Sequence, residues 1–120
     1  MDKDKRIKKE ENRLKKFFSE NGVDITKNEA VKSLISRAAF MKISLEDLEA
    51  ELNLNGWVES FKQGKEQEPY ERQRPTAATY VSLNGSYQKI IKQLTDLLPK
   101  SQKVEQSDGF EEFVYSRNEI

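Results

Sequence analysis

The residue types that carry most small-enzyme chemistry are missing from this chain of 120 residues, which contains no cysteine and no histidine. Thiolate nucleophiles and thiolate zinc sites are therefore excluded, as are the commonest metal ligand and the usual general base near neutral pH. Carboxylate or lysine catalysis and a carboxylate-only magnesium site remain chemically possible, but no motif gathers such groups. We predict a protein that is not an enzyme and that uses no cofactor, metal or small-molecule substrate.

Basic side chains are the remaining chemical feature, and they are concentrated at the start of the chain. The whole sequence has 21 basic and 21 acidic residues, whereas residues 1–40 contain 11 basic and 7 acidic ones. Acidic residues interleave with the basic ones, which is typical of a solvated helix surface. A nucleic-acid-binding surface is the alternative, because local positive charge binds phosphate even when the net charge is zero.

The elements that must position these groups are helices, because apolar residues recur at spacings of three and four. The first helix is expected to end at Asn21-Gly22, residues suited to a left-handed exit. Thr26 and Glu29 have the spacing of a capping box at the start of the second. The four predicted helices run from about Asp4 to Glu20, from Thr26 to about Lys42, from Ser44 to about Asn55 and from Pro75 to Leu98.

The second and third predicted helices are separated only by Ile43, which predicts a helix-turn-helix-like corner. Such a corner either places its second helix in a DNA groove or packs within a bundle. The third helix is rich in acidic residues, which are unfavourable beside phosphate, so packing within a bundle is the favoured interpretation.

Residues 57–74 interrupt the helical pattern and predict an irregular or short extended loop, with Trp57 and Phe61 packed beneath it. Pro75 suits the first position of the helix that follows. Gly85 inside that helix predicts a kink or a close helix crossing. The apolar stripe of this long helix needs a partner surface, and self-association is one way to supply it. The stripe positions assigned to oligomerisation are Tyr80, Leu83, Tyr87, Ile91, Leu94 and Leu98.

Residues 100–108 are polar and are predicted to be a linker, whereas residues 109–120 form an acidic and aromatic tail. Apolar side chains at positions 110, 113 and 114 favour one amphipathic turn. This turn either docks on a partner or folds back on its own bundle. The predicted fold is all-α: a small helical bundle over residues 1–99, with one long helix in the second half and a flexible tail.

No stretch reaches the length of an apolar membrane span, and the charged start of the chain does not resemble a signal peptide. We therefore expect a cytoplasmic protein without a membrane partner.

Several segments together resemble the small terminase subunits of tailed phages and of prophages in Gram-positive bacteria. They cover about residues 10–115 and are matched by packing residues, not by catalytic groups. The segments are Ser36–Met41, Ser44–Glu49, Asn55-Gly56, Arg74-Pro75 with Tyr80 and Tyr87, and Ile91–Pro99.

The resemblance implies a non-catalytic subunit that forms a homo-oligomeric ring, binds double-stranded viral DNA and brings it to the large terminase subunit in the bacterial host cytoplasm. It implies that ring closure falls to the apolar stripe and that Phe110, Phe113 and Tyr115 bind the large subunit. The phosphate contacts are then assigned to Lys5, Lys8, Lys9, Arg13, Lys16 and Arg37. The alternative function is a prophage-encoded helical adaptor or transcription regulator that uses the corner.

Overall fold

The computed structural model describes residues 2–99, which form three helices and one two-stranded antiparallel sheet. The fold is mainly helical, and the prediction of an all-α protein is wrong in one respect, because the segment before the last helix is a β-hairpin. The predicted linker 100–108 and tail 109–120, with Phe110, Phe113 and Tyr115, lie outside the described residues. The elements in chain order are α1 (Lys3–Glu20), α2 (Glu29–Asn55), β1 (Val58–Phe61), β2 (Tyr70–Gln73) and α3 (Pro75–Thr95).

Helix α1 has the boundaries that its sequence signals predict. The carboxylate of Asp2 accepts a hydrogen bond from the backbone N–H of Lys5 at 2.9 Å, which satisfies one free donor of the first turn. Asn21 is the C-cap, and Gly22 follows it with a φ of 94°, a conformation that favours glycine. The predicted end of the helix at Glu20 is confirmed.

Helix α2 runs without interruption for 27 residues, so the predicted corner between two helices is not formed. No glycine or proline lies between Glu29 and Asn55, and Lys42, Ile43 and Leu45 are buried on the same continuous apolar face. A serine inside a helix does not end it when the packing continues on both sides. The capping box is wrong as well, because the side chain of Asn28 caps α2 through the N–H groups of Ala30 and Val31.

Gly56 ends α2 as predicted, with a φ of 86°, and the chain then enters the β-hairpin. Val58 pairs with Gln73 at one end of the ladder and Phe61 with Tyr70 at the other. Trp57 is 48% exposed and makes an edge contact with Tyr80 at 5.6 Å between ring centroids, so it is not packed beneath the hairpin as predicted.

Arg74 joins the end of α2 to the start of α3 across the hairpin. Its guanidinium donates to the carbonyl of Gly56 at 2.5 Å and forms an ion pair with Glu51, while its backbone N–H donates to the carbonyl of Trp57 at 2.9 Å. Pro75 then occupies the first turn of α3, as predicted. The cation also lies beside the last carbonyls of α2, where the helix dipole favours positive charge.

Helix α3 ends at Thr95, three residues before the predicted end, and a turn closed by the Leu98 N–H and the Thr95 carbonyl at 3.0 Å follows it. A side chain added at Gly85 would meet nothing within 4 Å, so the described chain makes no close helix crossing there.

The core lies along α2, which contacts both α1 and α3. One cluster of buried residues joins the three helices: Leu14, Phe18, Val23, Val31, Ile35, Ala38, Ala39, Leu45, Tyr87, Leu94 and Leu98. Within residues 2–99, no helix combines the length and the apolar character that crossing a bilayer requires.

Two leucines near the end of α2 provide a direct test of this arrangement. Leu52 is 2% exposed and Leu54 is 82% exposed. We expect Leu52→Ala to lower the free energy of unfolding by about 2–5 kcal/mol, because it leaves a cavity in the core. Leu54→Ala should change it by less than about 0.5 kcal/mol. Urea denaturation monitored by circular dichroism measures both values, and equal losses would contradict the observed orientation of α2.

Candidate nucleic-acid interface

Helix α1 contains eight basic side chains, and the structure divides them into two groups. Five of them interact with the protein itself. Lys3 lies over the ring of Phe40 at 5.1 Å, and four others, Arg6, Lys8, Arg13 and Lys15, form ion pairs with acidic side chains. The sequence pattern alone does not distinguish these five from the remaining three.

Arg13 was predicted to contact phosphate, but the structure gives it a partner inside the protein. Its Nε and Nη2 atoms donate to the two carboxylate oxygens of Glu10 at 2.9 and 2.6 Å. The side chain of Glu10 is only 2% exposed, whereas that of Arg13 is 28% exposed. A buried carboxylate needs such a charged partner to offset its lost hydration, so a structural role explains Arg13.

Arg6 connects α1 to the middle of α2. It donates to Asp47 at 2.7 Å and to Glu46 at 3.3 Å. The hydrogen bond to Asp47 raises the pKa of the guanidinium. In the same helix, the hydrogen bond from Lys15 to Glu11 lowers the pKa of that carboxyl, and the ammonium lies at 2.8 Å.

Lys5, Lys9 and Lys16 form the second group, which we call the lysine row. All three are exposed, and none forms a salt bridge with another residue in the range 2–99. At about 100° per residue they lie within about 40° of one another on the face opposite Leu14, and the row is about 16 Å long. The lysine row is therefore an outward cationic strip on a packed helix, available to solution partners.

The other two candidate ligands lie beside this strip or away from it. Lys8 is 65% exposed and its ammonium is 3.7 Å from Glu11, a weak exposed pair that competes little with phosphate. Arg37 is exposed on α2 and forms no salt bridge with a residue that the structure describes. From the predicted set, Lys5, Lys9 and Lys16 thus form the lysine row, and Lys8 lies beside it in a weak pair with Glu11.

The stripe assigned to oligomerisation lies mostly inside the protein. Tyr87, Leu94 and Leu98 are 8%, 0% and 4% exposed in the common core, and Tyr80, Leu83 and Ile91 pack against it. These side chains are covered by helices of the same chain. Their apolar surface is therefore buried within a single protomer. The outward side of α3 is different in character, since it carries small uncharged residues followed by lysines.

Two contacts between α2 and α3 were not predicted from the sequence. Lys42 is 4% exposed, and its ammonium lies 5.9 Å from the centroid of the Tyr87 ring. Its position seven residues after Ile35 on the apolar face is the signal that identifies it. The hydroxyl of Tyr80 donates to Glu49 at 2.8 Å, and burial together with this carboxylate raises the pKa of Tyr80 to about 12.

The arrangement therefore places an exposed strip of positive charge on the outer face of α1. Among residues 2–99 there is no cluster of three side chains of the metal-binding types His, Cys, Asp and Glu. Comparison with protein-family models, curated proteins and solved structures gives no match for this chain. The class that the structure itself defines is a mainly helical protein with a short β-hairpin and a cationic strip on its first helix.

The different roles of Arg13 and Lys9 can be separated by stability. We expect Arg13→Ala to lower the free energy of unfolding by about 1–3 kcal/mol, because it removes two charged hydrogen bonds from a buried carboxylate. Lys9→Ala on the same helix should change it by less than about 0.5 kcal/mol. Chemical denaturation at pH 7 measures both, and an Arg13→Ala variant as stable as the Lys9→Ala variant would show that Glu10 does not need Arg13.

Proposed function

We propose that this chain is a small terminase subunit, which binds double-stranded viral DNA, assembles with further copies of itself and delivers the DNA to the large terminase subunit. The observation that carries the proposal is the lysine row. Lys5, Lys9 and Lys16 point away from the core and lack salt bridges within the described range, while the other cations of α1 are engaged. The resemblance of the packing segments to that family supplies the biological context.

Binding through this strip would be electrostatic and independent of base sequence. Phosphate contacts position a protein on DNA without reading its bases, and each one releases counterions. Three lysines on one protomer give weak binding, but several protomers that engage one DNA molecule together multiply it. A homo-oligomer therefore explains how a chain of zero net charge holds DNA.

The exposed apolar residues favour an oligomer interface at the hairpin end, away from the covered stripe of α3. Leu54 and Val58 are 82% and 55% exposed there, and Trp57, between them along the chain, adds a half-exposed ring. Tyr70 is 49% exposed on the opposite face of the hairpin. Exposed apolar side chains grouped at one end of a small protein are typical of an interaction surface. The lysine row lies on the first helix, so this interface leaves it open to DNA.

The alternative function, a prophage-encoded helical adaptor or transcription regulator, depends on a structural element that the chain does not form. It needs a helix-turn-helix-like corner at residues 26–54, and the chain forms one continuous helix over Glu29–Asn55. The recruitment of the large subunit by Phe110, Phe113 and Tyr115 stays a prediction, since these residues lie outside the described range.

Charge reversal of the lysine row tests DNA binding by the full-length protein. We expect Lys5→Glu/Lys9→Glu/Lys16→Glu to weaken binding to duplex DNA. The slope of log affinity against log salt should fall by about 2.7 for each protomer that contacts the DNA, or about 0.9 per lost phosphate contact. The matched control is Lys27→Glu/Lys62→Glu/Lys65→Glu, which changes the net charge equally at three exposed lysines elsewhere. Because Lys62 and Lys65 lie in the hairpin, light scattering first verifies that the control keeps the mass of the wild type. Fluorescence anisotropy at several salt concentrations measures both, and equal effects of the two triple variants would refute a localised site.

Assembly is tested separately by absolute mass. We expect the wild type to exceed a dimer in light scattering behind a sizing column, and Leu54→Gln/Val58→Thr to shift it towards the monomer, because the interface loses apolar area. The control is Leu97→Gln/Val81→Thr, which makes the same replacements at residues 44% and 57% exposed on and after α3. A wild-type monomer at all concentrations, or a larger loss of mass in the control, would rule out this interface.

A further inference from the structure

The outer face of the first half of α3 is unusual in this chain. No charged residue occurs from Pro75 to Gln88, although charged residues make up 35% of the sequence. Val81 on this helix is 57% exposed, and Ala78, Ser82 and Ser86 are also exposed. A helix face in contact with solvent normally carries charged side chains. The exposed face formed by these residues carries none.

This face also carries a depression that is shallow and mostly open to solvent. Its volume is about 500 Å³, and it is lined by Ala78, Thr79, Ser82, Leu83 and Ser86, all on α3. On the neighbouring strip of the helix, a side chain at Gly85 would meet nothing within 4 Å. A glycine inside a helix costs about 1 kcal/mol relative to alanine, and no contact within the described chain requires it here. The depression has room for an aromatic side chain.

Positive charge follows this depression directly. Lys89 and Lys92 lie one and two turns after Ser86, both are exposed, and neither forms a salt bridge with a residue in the range 2–99. An occupant that fits therefore combines apolar side chains with nearby carboxylates. Residues 109–115 have this composition, with Phe110, Glu111, Glu112, Phe113 and Tyr115.

The charge of the last part of the chain is complementary to the two lysines. Between Lys103 and Arg117 there are four acidic residues, Glu105, Asp108, Glu111 and Glu112, and no basic one. Opposite charges brought together at a partly apolar surface steer the approach and set the orientation. The lysine row on α1 would attract the same carboxylates. The exposed residue between Lys9 and Lys16 on that face is the polar Asn12, so the row offers no apolar surface to aromatic rings.

The length of chain is sufficient as well. The described residues end at Pro99, just after α3, and Phe110 follows eleven residues later. Eleven residues reach at most about 36 Å when fully extended. Ser86 precedes Thr95, the last residue of α3, by nine residues, which corresponds to about 14 Å along the helix axis. The segment can therefore return along α3 and lie on the depression without strain.

We propose that residues 109–115 dock on the outer face of α3 of their own chain, with the aromatic side chains in the depression and the carboxylates beside Lys89 and Lys92. Docking requires neither DNA nor a large subunit. In the proposed function the same aromatic residues bind the large subunit. Docking on α3 would therefore cover these residues until the large subunit competes for them. This regulatory consequence rests on the proposed function, whereas the docking itself does not.

Crosslinking of the full-length protein tests the docking, because the chain has no cysteine and any introduced pair is unique. The test pair is Ser86→Cys with Ser116→Cys. The controls combine Ser116→Cys with Ser19→Cys on α1 or with Ser36→Cys on α2, both exposed. Ser19 is a stringent control, because it follows Phe18, which belongs to the same core cluster as Leu98 near the end of the described chain.

We expect a bis-maleimide reagent at low protein concentration to link the test pair within one chain about tenfold faster than either control pair, because docking raises the local concentration of the two thiols. Intact mass and a denaturing gel distinguish one-chain from two-chain products. Adding Phe110→Ser/Phe113→Ser or Lys89→Glu/Lys92→Glu should abolish the preference, and Lys89→Arg/Lys92→Arg should retain it. Circular dichroism verifies that each variant is folded.

Three results would overturn the proposal: equal rates at all three positions, a preference that survives both the phenylalanine and the charge-reversal variants, or a product that is mainly two-chain. The last would place the segment on a neighbouring copy. Because the assay contains no DNA and no large subunit, its outcome is independent of the DNA-binding and mass measurements above.

Discussion

The burial of α2 between two other helices is the constraint on which the rest of the structure depends. Ala38 and Ala39 are both 0% exposed, and Ile35 one turn earlier is also fully buried. Small side chains at adjacent positions of α2 let both α1 and α3 approach it closely. Each of these two helices therefore buries its apolar side against α2, and its outer side does not have to be apolar. The outward faces of α1 and α3 are consequently left without a role in the core, and they carry the lysine row and the uncharged depression.

The acidic residues of the second half of α2 tie the structure together. Arg6 binds Glu46 and Asp47, the hydroxyl of Tyr80 binds Glu49, and Arg74 binds Glu51. The hydrogen bond from Arg74 lowers the pKa of Glu51, so this carboxylate remains charged when it holds the start of α3. From the sequence, these acidic side chains are unfavourable beside DNA phosphate. In the structure they connect α2 to α1 and to α3.

The local signals of the sequence predicted the ends of elements better than their interiors. Asn21-Gly22, Gly56 and Pro75 act through their own backbone preferences, and each has the predicted position in the structure. The interruption predicted near Ser44 was wrong because a serine only permits a helix to start, whereas packing of Ile43 and Leu45 on the core decides whether it continues. The hairpin was predicted only as an extended or irregular segment, since its pairing joins residues separated along the chain.

By itself, the sequence determined that this chain is mainly helical, that its positive charge lies near its start, and that it lacks thiol and imidazole chemistry, because these properties follow from residue types and local spacing. Only the tertiary structure decided which of the cations face outward. Lys5, Lys9 and Lys16 remain available, whereas Arg13 is held by Glu10, a residue that is buried in the folded protein. The same packing buries the apolar stripe of α3 against the other helices of the chain. The partners of Arg6, Glu46 and Asp47, lie about forty residues away on α2, so only folding brings them together. The partner of Arg13 lies three residues earlier on the same helix, and there folding decides the burial of Glu10, which makes the pair necessary.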